Sequence, residues 1–211
     1  MTPKELASKH PKLFHVTEAS AWLSIAKHGL LSTKNLLELF EIQGERKDNL
    51  MTKRRQQSVS IRHDVHGEAI LTDNIPLNLK SLSDCLDDEL TPENWIEMLN
   101  SRVFFFTNKK QAVKFLQAAS NTHRQKLVLV LDTLTLAECH VKQMELCPFN
   151  SGTANPRSVP RRGLSTFSPL SKYSYREWVR LRSRKKEKIQ EVVVLGAVND
   201  IEKYLVERIL A

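Results

Sequence analysis

The order in which helix and strand patterns follow one another most constrains the fold of this chain. Capped, amphipathic helix patterns dominate the first half, and short apolar strand patterns are interspersed through the second half. A doubly wound parallel sheet needs a regular alternation of strands and helices, which the sequence lacks. The pattern therefore predicts an α+β fold with mixed or antiparallel sheets and an N-terminal helical portion. Its 211 residues suit one domain, residues 1–211.

Capping residues and apolar runs set the predicted element boundaries. Thr2, with Pro3 and Glu5, predicts a first helix, and Thr17 predicts the start of a helix that ends at Gly29. The other predicted helices begin at Ser32 or Thr33, at Thr91 (to about Asn100), at Asn108 (to about Ala119) and at Asn199. The predicted strands are Leu13–Val16, Ser58–Arg62, Ala69–Thr72, Arg102–Phe106, Lys126–Leu131, His140–Leu146 and Glu191–Leu195.

Two polar segments interrupt these patterns. Residues 44–58 are polar and basic, which predicts a mobile or ligand-facing segment. Residues 147–188 join a proline- and serine-rich loop to a basic stretch. Long loops without secondary structure in a compact domain are usually functional or disordered. We therefore interpret residues 147–188 as a substrate-binding loop and basic segment.

Composition narrows the classes of partner. Thirty-two Lys and Arg against 24 Asp and Glu leave a net charge of +8, which favours nucleic acid, a nucleotide or an acidic surface; an ordinary basic protein is the alternative. No apolar run is long enough for a membrane span or has the form of a signal peptide, so we expect no membrane partner and a cytoplasmic location. Three irregularly spaced cysteines indicate reduced thiols.

Several familiar motifs are absent. The sequence has neither a clustered glycine loop for phosphates nor a Gly-x-Ser-x-Gly nucleophile motif. The spacing of its histidines and cysteines matches no tight zinc pattern, so we expect no metal; the residues considered are His63, His66, Cys139, His140 and Cys147.

Two short segments carry candidate polar groups. In Phe14-His15-Val16-Thr17 the alternation of a strand puts His15 and Thr17 on one face, where together they can hydrogen-bond a sugar. The alternative is that Thr17 only caps a helix and a backbone carbonyl satisfies His15. Glu191 opens an otherwise apolar strand at the margin of the core, where burial can shift its pKa; the alternative is a surface residue paired with a neighbour such as Lys188.

Arginines form a third candidate set. Their planar side chains bind phosphates bidentately, and a solvated basic face is the alternative. Tyr175 and Trp178, beside the last arginines, add aromatic surfaces on which single-stranded bases could stack. The arginines considered are Arg54, Arg55, Arg62, Arg161, Arg162, and those of the basic run from Arg180 to Lys186.

The two ends of the chain together resemble ADP-ribosyltransferase-fold enzymes of the DarT kind. The matching segments are Phe14-His15-Val16-Thr17, His28-Gly29-Leu30-Leu31-Ser32 and Gln190-Glu191-Val192-Val193-Val194-Leu195-Gly196, with Lys53-Arg54-Arg55-Gln56-Gln57-Ser58-Val59 between them. The middle of the chain resembles a bacterial family of largely uncharacterised proteins. Its matching pieces are residues 99–106, Asn150-Ser151-Gly152 and the segment from Arg162-Gly163 to Phe167.

This resemblance implies a single ADP-ribosyltransferase-like domain that uses NAD as substrate and modifies a nucleic-acid base, as a bacterial toxin or phage-defence effector with a possible antitoxin partner. Glu191 and Arg55 would be catalytic, although Arg54 and Arg62 compete with Arg55 for that role. NAD would be held by His15, Thr17, Gly29 and an aromatic residue of Phe104–Phe106, with Phe106 favoured. The acceptor would be held by Arg54, Arg62, Arg162, Tyr175, Trp178 and Arg180.

Three other functions stay open. The same fold could modify a protein or a small molecule, or it could hydrolyse NAD without transfer, because water reacts whenever a site fails to exclude it. A non-catalytic nucleic-acid-binding module is the alternative from another class. The discriminating feature is whether His15 and Glu191 converge on one pocket.

Overall fold

A computed structural model describes residues 1–117, 125–154, 160–181 and 189–211. The predicted α+β class is confirmed, with antiparallel pairing between the strands of every sheet. The main sheet has seven strands, and two further sheets have two strands each.

The elements follow one another in this order along the chain. The helices are α1 (Pro3–Lys9), α2 (Trp22–His28), α3 (Thr33–Leu39), α4 (Gly44–Thr52), α5 (Leu79–Ser83), α6 (Pro92–Asn100), α7 (Lys109–Leu116), α8 (Thr133–His140) and α9 (Tyr175–Leu181). The strands are β1 (Lys12–Glu18), β2 (Leu30–Leu31), β3 (Val59–His63), β4 (Gly67–Leu71), β5 (Arg102–Phe106), β6 (Lys126–Asp132), β7 (Met144–Cys147), β8 (Ser168–Pro169), β9 (Glu191–Leu195), β10 (Ala197–Val198) and β11 (Leu205–Leu210).

The sheet brings the two ends of the chain together. Its strand order is β11-β6-β1-β5-β9-β7-β8, so only β5 separates β1 from β9. Neighbouring strands lie about 4.8 Å apart, which puts the backbones of β1 and β9 about 10 Å from each other. The register of these three strands pairs Phe106 of β5 with Phe14 of β1 on one side and with Glu191 of β9 on the other.

The apolar interior consists of three clusters, two of which pack on this sheet. The largest joins one face of β9 and β5 to α1, α2, α8 and α9, and it includes Phe105 and Val192. A second covers the opposite face, where Trp95 of α6 packs with Val193. The third holds α3 and α4 against the β3–β4 hairpin. Because β9 is covered on both faces, its apolar run Val192–Val194 is fully buried.

Most predicted helix starts are confirmed by their caps. The Thr2 and Thr91 hydroxyls cap α1 and α6 within reciprocal capping boxes, and Asn108 caps α7. Gly29 ends α2 at φ +82°, and a Cβ there would lie 2.5 Å from the Val198 carbonyl oxygen. Only glycine therefore allows this turn to approach β10 so closely.

Several predicted elements need correction. Thr17 caps nothing, because β1 continues through it to Glu18. Of residues 44–58, predicted to be mobile or ligand-facing, residues 44–52 form α4, which buries Leu50 and Met51, whereas Arg55 after it lines a cavity. His140 ends a helix that the sequence analysis missed. Asn199 starts no helix: after a short 3₁₀ turn, residues 205–210 form the edge strand β11. The predicted end of α7 near Ala119 lies outside the described residues.

Candidate functional site

His15 lies where β1 and β5 separate. β1 pairs with β6 along its whole length, but its register with β5 is at Phe14–Phe106. In place of continued pairing, the imidazole Nδ1 of His15 lies 2.9 Å from the carbonyl oxygen of Phe104. A carbonyl only accepts, so Nδ1 carries the proton and Nε2 keeps its lone pair. Burial lowers the pKa of His15, which keeps the ring neutral at pH 7 and leaves Nε2 as an acceptor for a hydroxyl.

Glu191 is the first residue of β9, where it pairs with Phe106 on one side and Cys147 on the other. Its residue surface is only 5% exposed. The Ser151 hydroxyl and backbone N–H both donate to Oε2, at 2.7 and 3.1 Å. One carboxylate oxygen is thus fixed in position by two donors, and Oε1 is left for another partner.

Burial raises the pKa of Glu191 to about 7, although the Ser151 donors and the positive charge of Arg162 oppose that shift. A solvated glutamate would be fully ionised at neutral pH, whereas this one is poised between its two forms. Carboxylates shifted in this way by burial are frequent in catalytic sites, where they exchange protons or stabilise developing positive charge.

His15 and Glu191 line one cavity of about 260 Å³, which we call the central cavity. It adjoins two others. The arginine-side cavity, about 250 Å³, shares His15 and Phe104 with it and extends along Thr17, Gly29 and Arg55. The lysine-side cavity, about 380 Å³, shares Glu191, Phe106 and Phe115 with it and extends to Gln111, Lys114 and Gln190. Together they form a cleft with Glu191 between its central and lysine-side parts.

Arg55 is the arginine that the structure brings to this cleft. It is 8% exposed, and its guanidinium donates to the carbonyl oxygens of Thr72 and Leu50 and to Oδ1 of Asn100. Burial lowers its pKa to about 10, so it remains charged at neutral pH. These bonds join α4, α6 and the end of β4 around the arginine-side cavity. Arg55 lines the arginine-side cavity but not the central cavity that Glu191 lines. It is therefore positioned to hold a ligand in the arginine-side cavity and not to reach the carboxylate.

The two competing arginines lie elsewhere. Arg54 donates to the carbonyl oxygens of Asn74 and Ile75 and lines none of the three cavities. Arg62 lies on the β3–β4 hairpin with its side chain 80% exposed, beside Glu68. The structure therefore places neither arginine in the cleft, and their role as substrate contacts stays a prediction.

Arg162 does not lie at a surface, and its prediction as an acceptor contact is wrong. It is 1% exposed, stacks over the rings of Trp95 and Phe149, and donates to the carbonyl oxygens of Ser151 and Thr153. It thereby fixes the loop whose Ser151 holds Glu191. Burial lowers its pKa.

The aromatic residues of α9 are not available to a nucleic acid as predicted. Trp178 is 1% exposed and belongs to the main core, so the prediction that it stacks on a base is wrong. Tyr175 is half-buried under Lys9, and Arg180 is exposed, but neither lines the cleft. The rest of the predicted basic run, residues 182–188, lies outside the described residues.

Sequence reasoning missed several lining residues. Ser151 stood in a quoted motif without a role, yet it holds Glu191. Phe104 was not missed: it belongs to the aromatic run that the resemblance offers to NAD, and it lines the cleft two residues before Phe106. Lys114 and Phe115 of α7 had no signal of their own, because their closeness to Glu191 arises only from the packing of α7 beside β5.

Comparison with known proteins gives a family without an assigned activity. Residues 11–205 match the family described as "Family of unknown function (DUF7002)". The chain belongs to the DUF7002 family. His15 and Glu191 both lie within the matched range. No curated protein matches the chain.

Two further findings concern membranes and metals. Among the described residues, no helix combines the length and apolar character that a bilayer crossing requires. In the same part of the chain, no group of three or more His, Cys, Asp or Glu side chains is arranged to hold a metal ion.

Proposed function

We propose that this DUF7002 protein is an ADP-ribosyltransferase that transfers ADP-ribose from NAD to a nucleic acid. The observation that carries the proposal is the convergence of His15 and Glu191, from opposite ends of the chain, on one cavity. The resemblance to DarT-like enzymes depends on these two residues acting on the same ligand.

The residues along the cleft offer the chemistry that NAD requires. In the arginine-side cavity the buried cation Arg55 suits a phosphate, and the Nε2 lone pair of His15 suits a ribose hydroxyl. Phe104 and Phe106 supply aromatic surface for the nicotinamide ring. The carboxylate of Glu191 then faces the ribose from which nicotinamide leaves.

Glu191 would stabilise the reacting ribose. The bond between the ribose C1′ and the nicotinamide nitrogen breaks, and its electron pair leaves with nicotinamide as positive charge develops on the sugar. An ionised carboxylate fixed beside that charge lowers the activation free energy of such a reaction by about 3 kcal/mol. The nucleophile forms the new bond to C1′ and releases its proton, which Glu191 can accept.

Labelled NAD tests the proposal. Wild-type protein, Glu191→Gln and the control Glu202→Gln, an exposed glutamate outside the cleft, are incubated with a cell lysate, and the product is treated separately with nuclease and protease. We expect wild type and the control to give a nuclease-sensitive label and Glu191→Gln to give none. Equal labelling by Glu191→Gln would overturn the catalytic assignment. A protease-sensitive label would make a protein the acceptor, and free ADP-ribose alone would make the enzyme an NAD glycohydrolase.

NAD binding tests the other end of the cleft. Calorimetry of His15→Ala should show an affinity for NAD about fivefold lower than wild type, because one hydrogen bond to a ligand hydroxyl is worth about 1 kcal/mol. An unchanged affinity would remove His15 from the site. Salt-dependent binding of oligonucleotides without any NAD consumption would favour the non-catalytic module instead.

The proposed biological role follows the same resemblance. A toxin or phage-defence effector that modifies nucleic acid should arrest growth when it is expressed in bacteria, and Glu191→Gln at equal expression should not. Growth arrest by both proteins would separate toxicity from the proposed chemistry.

A further inference from the structure

The lysine-side cavity is large and contacts Glu191 from the side that His15 does not line. NAD, if bound as proposed, extends from Glu191 past His15 into the arginine-side cavity. The lysine-side cavity is then left for the molecule that attacks C1′. This second ligand has to reach Glu191 directly, and the shared lining residues Glu191 and Phe106 make the two cavities continuous.

The walls of this cavity suit a planar, hydrogen-bonding ring. The rings of Phe106 and Phe115 lie 5.7 Å apart at 47°, which leaves aromatic surface along one wall. Gln111 donates to Gln190 at 2.6 Å, so two amides form a polar edge on the same cavity. Oε1 of Gln111 is buried with no hydrogen-bond partner among the described residues. A small rotation of this amide would offer an acceptor to a ligand N–H.

The rim of the cavity is basic. Lys114 lines it, and Lys110 lies one helical turn earlier on the same face of α7; both are exposed. The helix carries three lysines and no acidic residue, and within the described residues neither Lys110 nor Lys114 is in an ion pair. Cations spaced beside an aromatic pocket are what proteins use to hold the backbone of a single strand while a base stacks.

We propose that the lysine-side cavity is the acceptor pocket, which takes one unpaired base of a single-stranded nucleic acid whose phosphates contact Lys110 and Lys114. This inference rests on the proposed function for its chemistry. A nitrogen of the base forms the bond to C1′, the bond from C1′ to nicotinamide breaks with its electrons leaving on nicotinamide, and the proton of the base nitrogen passes to Glu191. A single strand is favoured over a duplex, because a paired base first has to leave its stack to reach the carboxylate, which costs free energy.

Oligonucleotide binding without NAD tests the pocket independently of any transfer. The probe is a fluorescent single strand of mixed sequence, about 20 nucleotides long, as a DNA and as an RNA. Lys110→Glu/Lys114→Glu is compared with Lys4→Glu/Lys80→Glu, which makes the same change in charge at exposed lysines that line none of the cavities. Thermal unfolding by circular dichroism checks that both variants fold.

The expected result is a clear separation of the two variants. The α7 variant should bind at least tenfold more weakly than the control, and its slope of log affinity against log salt should be shallower by about 1.4, since each lost phosphate contact on a single strand removes about 0.7. Equal affinity and equal slope in the two variants would overturn the assignment of α7 as the acceptor surface.

Phe115→Leu tests the pocket apart from charge, because leucine keeps apolar volume but cannot stack. We expect its affinity for the strand to fall about tenfold with an unchanged salt slope. Wild-type affinity in this variant would overturn the base pocket. In the labelling assay, equal transfer to the strand by wild type and by the α7 variant would refute this inference alone. No transfer by wild type to any acceptor would instead refute the proposed function, and the binding result would then stand by itself.

Discussion

The burial of Glu191 has a measurable cost in stability, which Glu191→Gln should relieve. Glutamine has almost the same shape, and its amide oxygen can accept the two hydrogen bonds that Ser151 donates. It carries no charge, however, so no ionised group has to be removed from water when the protein folds. The wild-type carboxylate has to be either ionised inside the protein or protonated.

The magnitude follows from the pKa of Glu191, which burial raises from 4.5 to about 7. Because the folded protein keeps this proton at a pH where the unfolded chain has lost it, rising pH destabilises the wild type between these two values. At about 1.4 kcal/mol for each tenfold change in proton affinity, the full penalty is about 3 kcal/mol above pH 7. Below about pH 4.5 the penalty is absent, since both states are protonated.

Urea unfolding followed by circular dichroism measures this difference. The free energy of unfolding of Glu191→Gln minus that of wild type should grow by about 3 kcal/mol from about pH 4 to about pH 8, with most of the growth below pH 7. Every other titrating group is shared by the two proteins, so it cancels in the difference. The control Glu202→Gln, at an exposed glutamate, should give a difference that is flat with pH.

A flat difference for Glu191→Gln would refute the reasoning. It would mean that the carboxyl titrates in the folded protein as it does in the unfolded chain. Glu191 would then be hydrated or paired with a cation, in contrast to the buried position described above. The proposal that its ionisation controls activity would then also fail, because we expect activity to rise with pH through about 7 as the carboxylate forms.

Three other predictions concern neighbouring features. Lys126→Met should destabilise the protein by about 3 kcal/mol in urea unfolding, because it leaves the buried Glu18 carboxylate without its ion-pair partner; adding Glu18→Gln should restore most of this loss, and no restoration would contradict it. Gly29→Ala should cost about 2 kcal/mol or more by the same measurement, since alanine meets both a positive φ and the backbone of β10. Ser151→Ala should move the pH profile of NAD-dependent labelling upward, because the lost hydroxyl donor stabilises the ionised form of Glu191; an unmoved profile would contradict this role.

Local sequence signals were enough for elements whose own residue pattern is distinctive. The bounds of β5 and β9 were predicted as observed, because each is a short apolar run between polar residues. The caps of α1 and α6 were equally readable, since a capping box is a contact between residues three apart. The edge strand β11 was mistaken for a helix, because its hydrogen bonds come from β6, far away in the chain.

The candidate site divides in the same way. The types of residue that it needs, a strand histidine and a carboxylate before an apolar strand, could be recognised in sequence. Among three arginines, however, only packing distinguishes Arg55, which is enclosed by α4, α6 and β4, from Arg62, which is on an exposed hairpin. Trp178 and Arg162 were taken for surface contacts, although each fills the interior.

By itself, the sequence determined the α+β class, the capped starts of α1, α3, α6 and α7, the central strands and the pair of residues on which the functional proposal depends. These follow from capping, periodicity and residue chemistry, which act over a few positions. Tertiary structure decided that β5 lies between β1 and β9, that Ser151 holds Glu191, and that α7 adds lysines beside it. Such contacts join residues far apart in the chain, and only the folding of the whole sheet brings them within a few ångströms of each other.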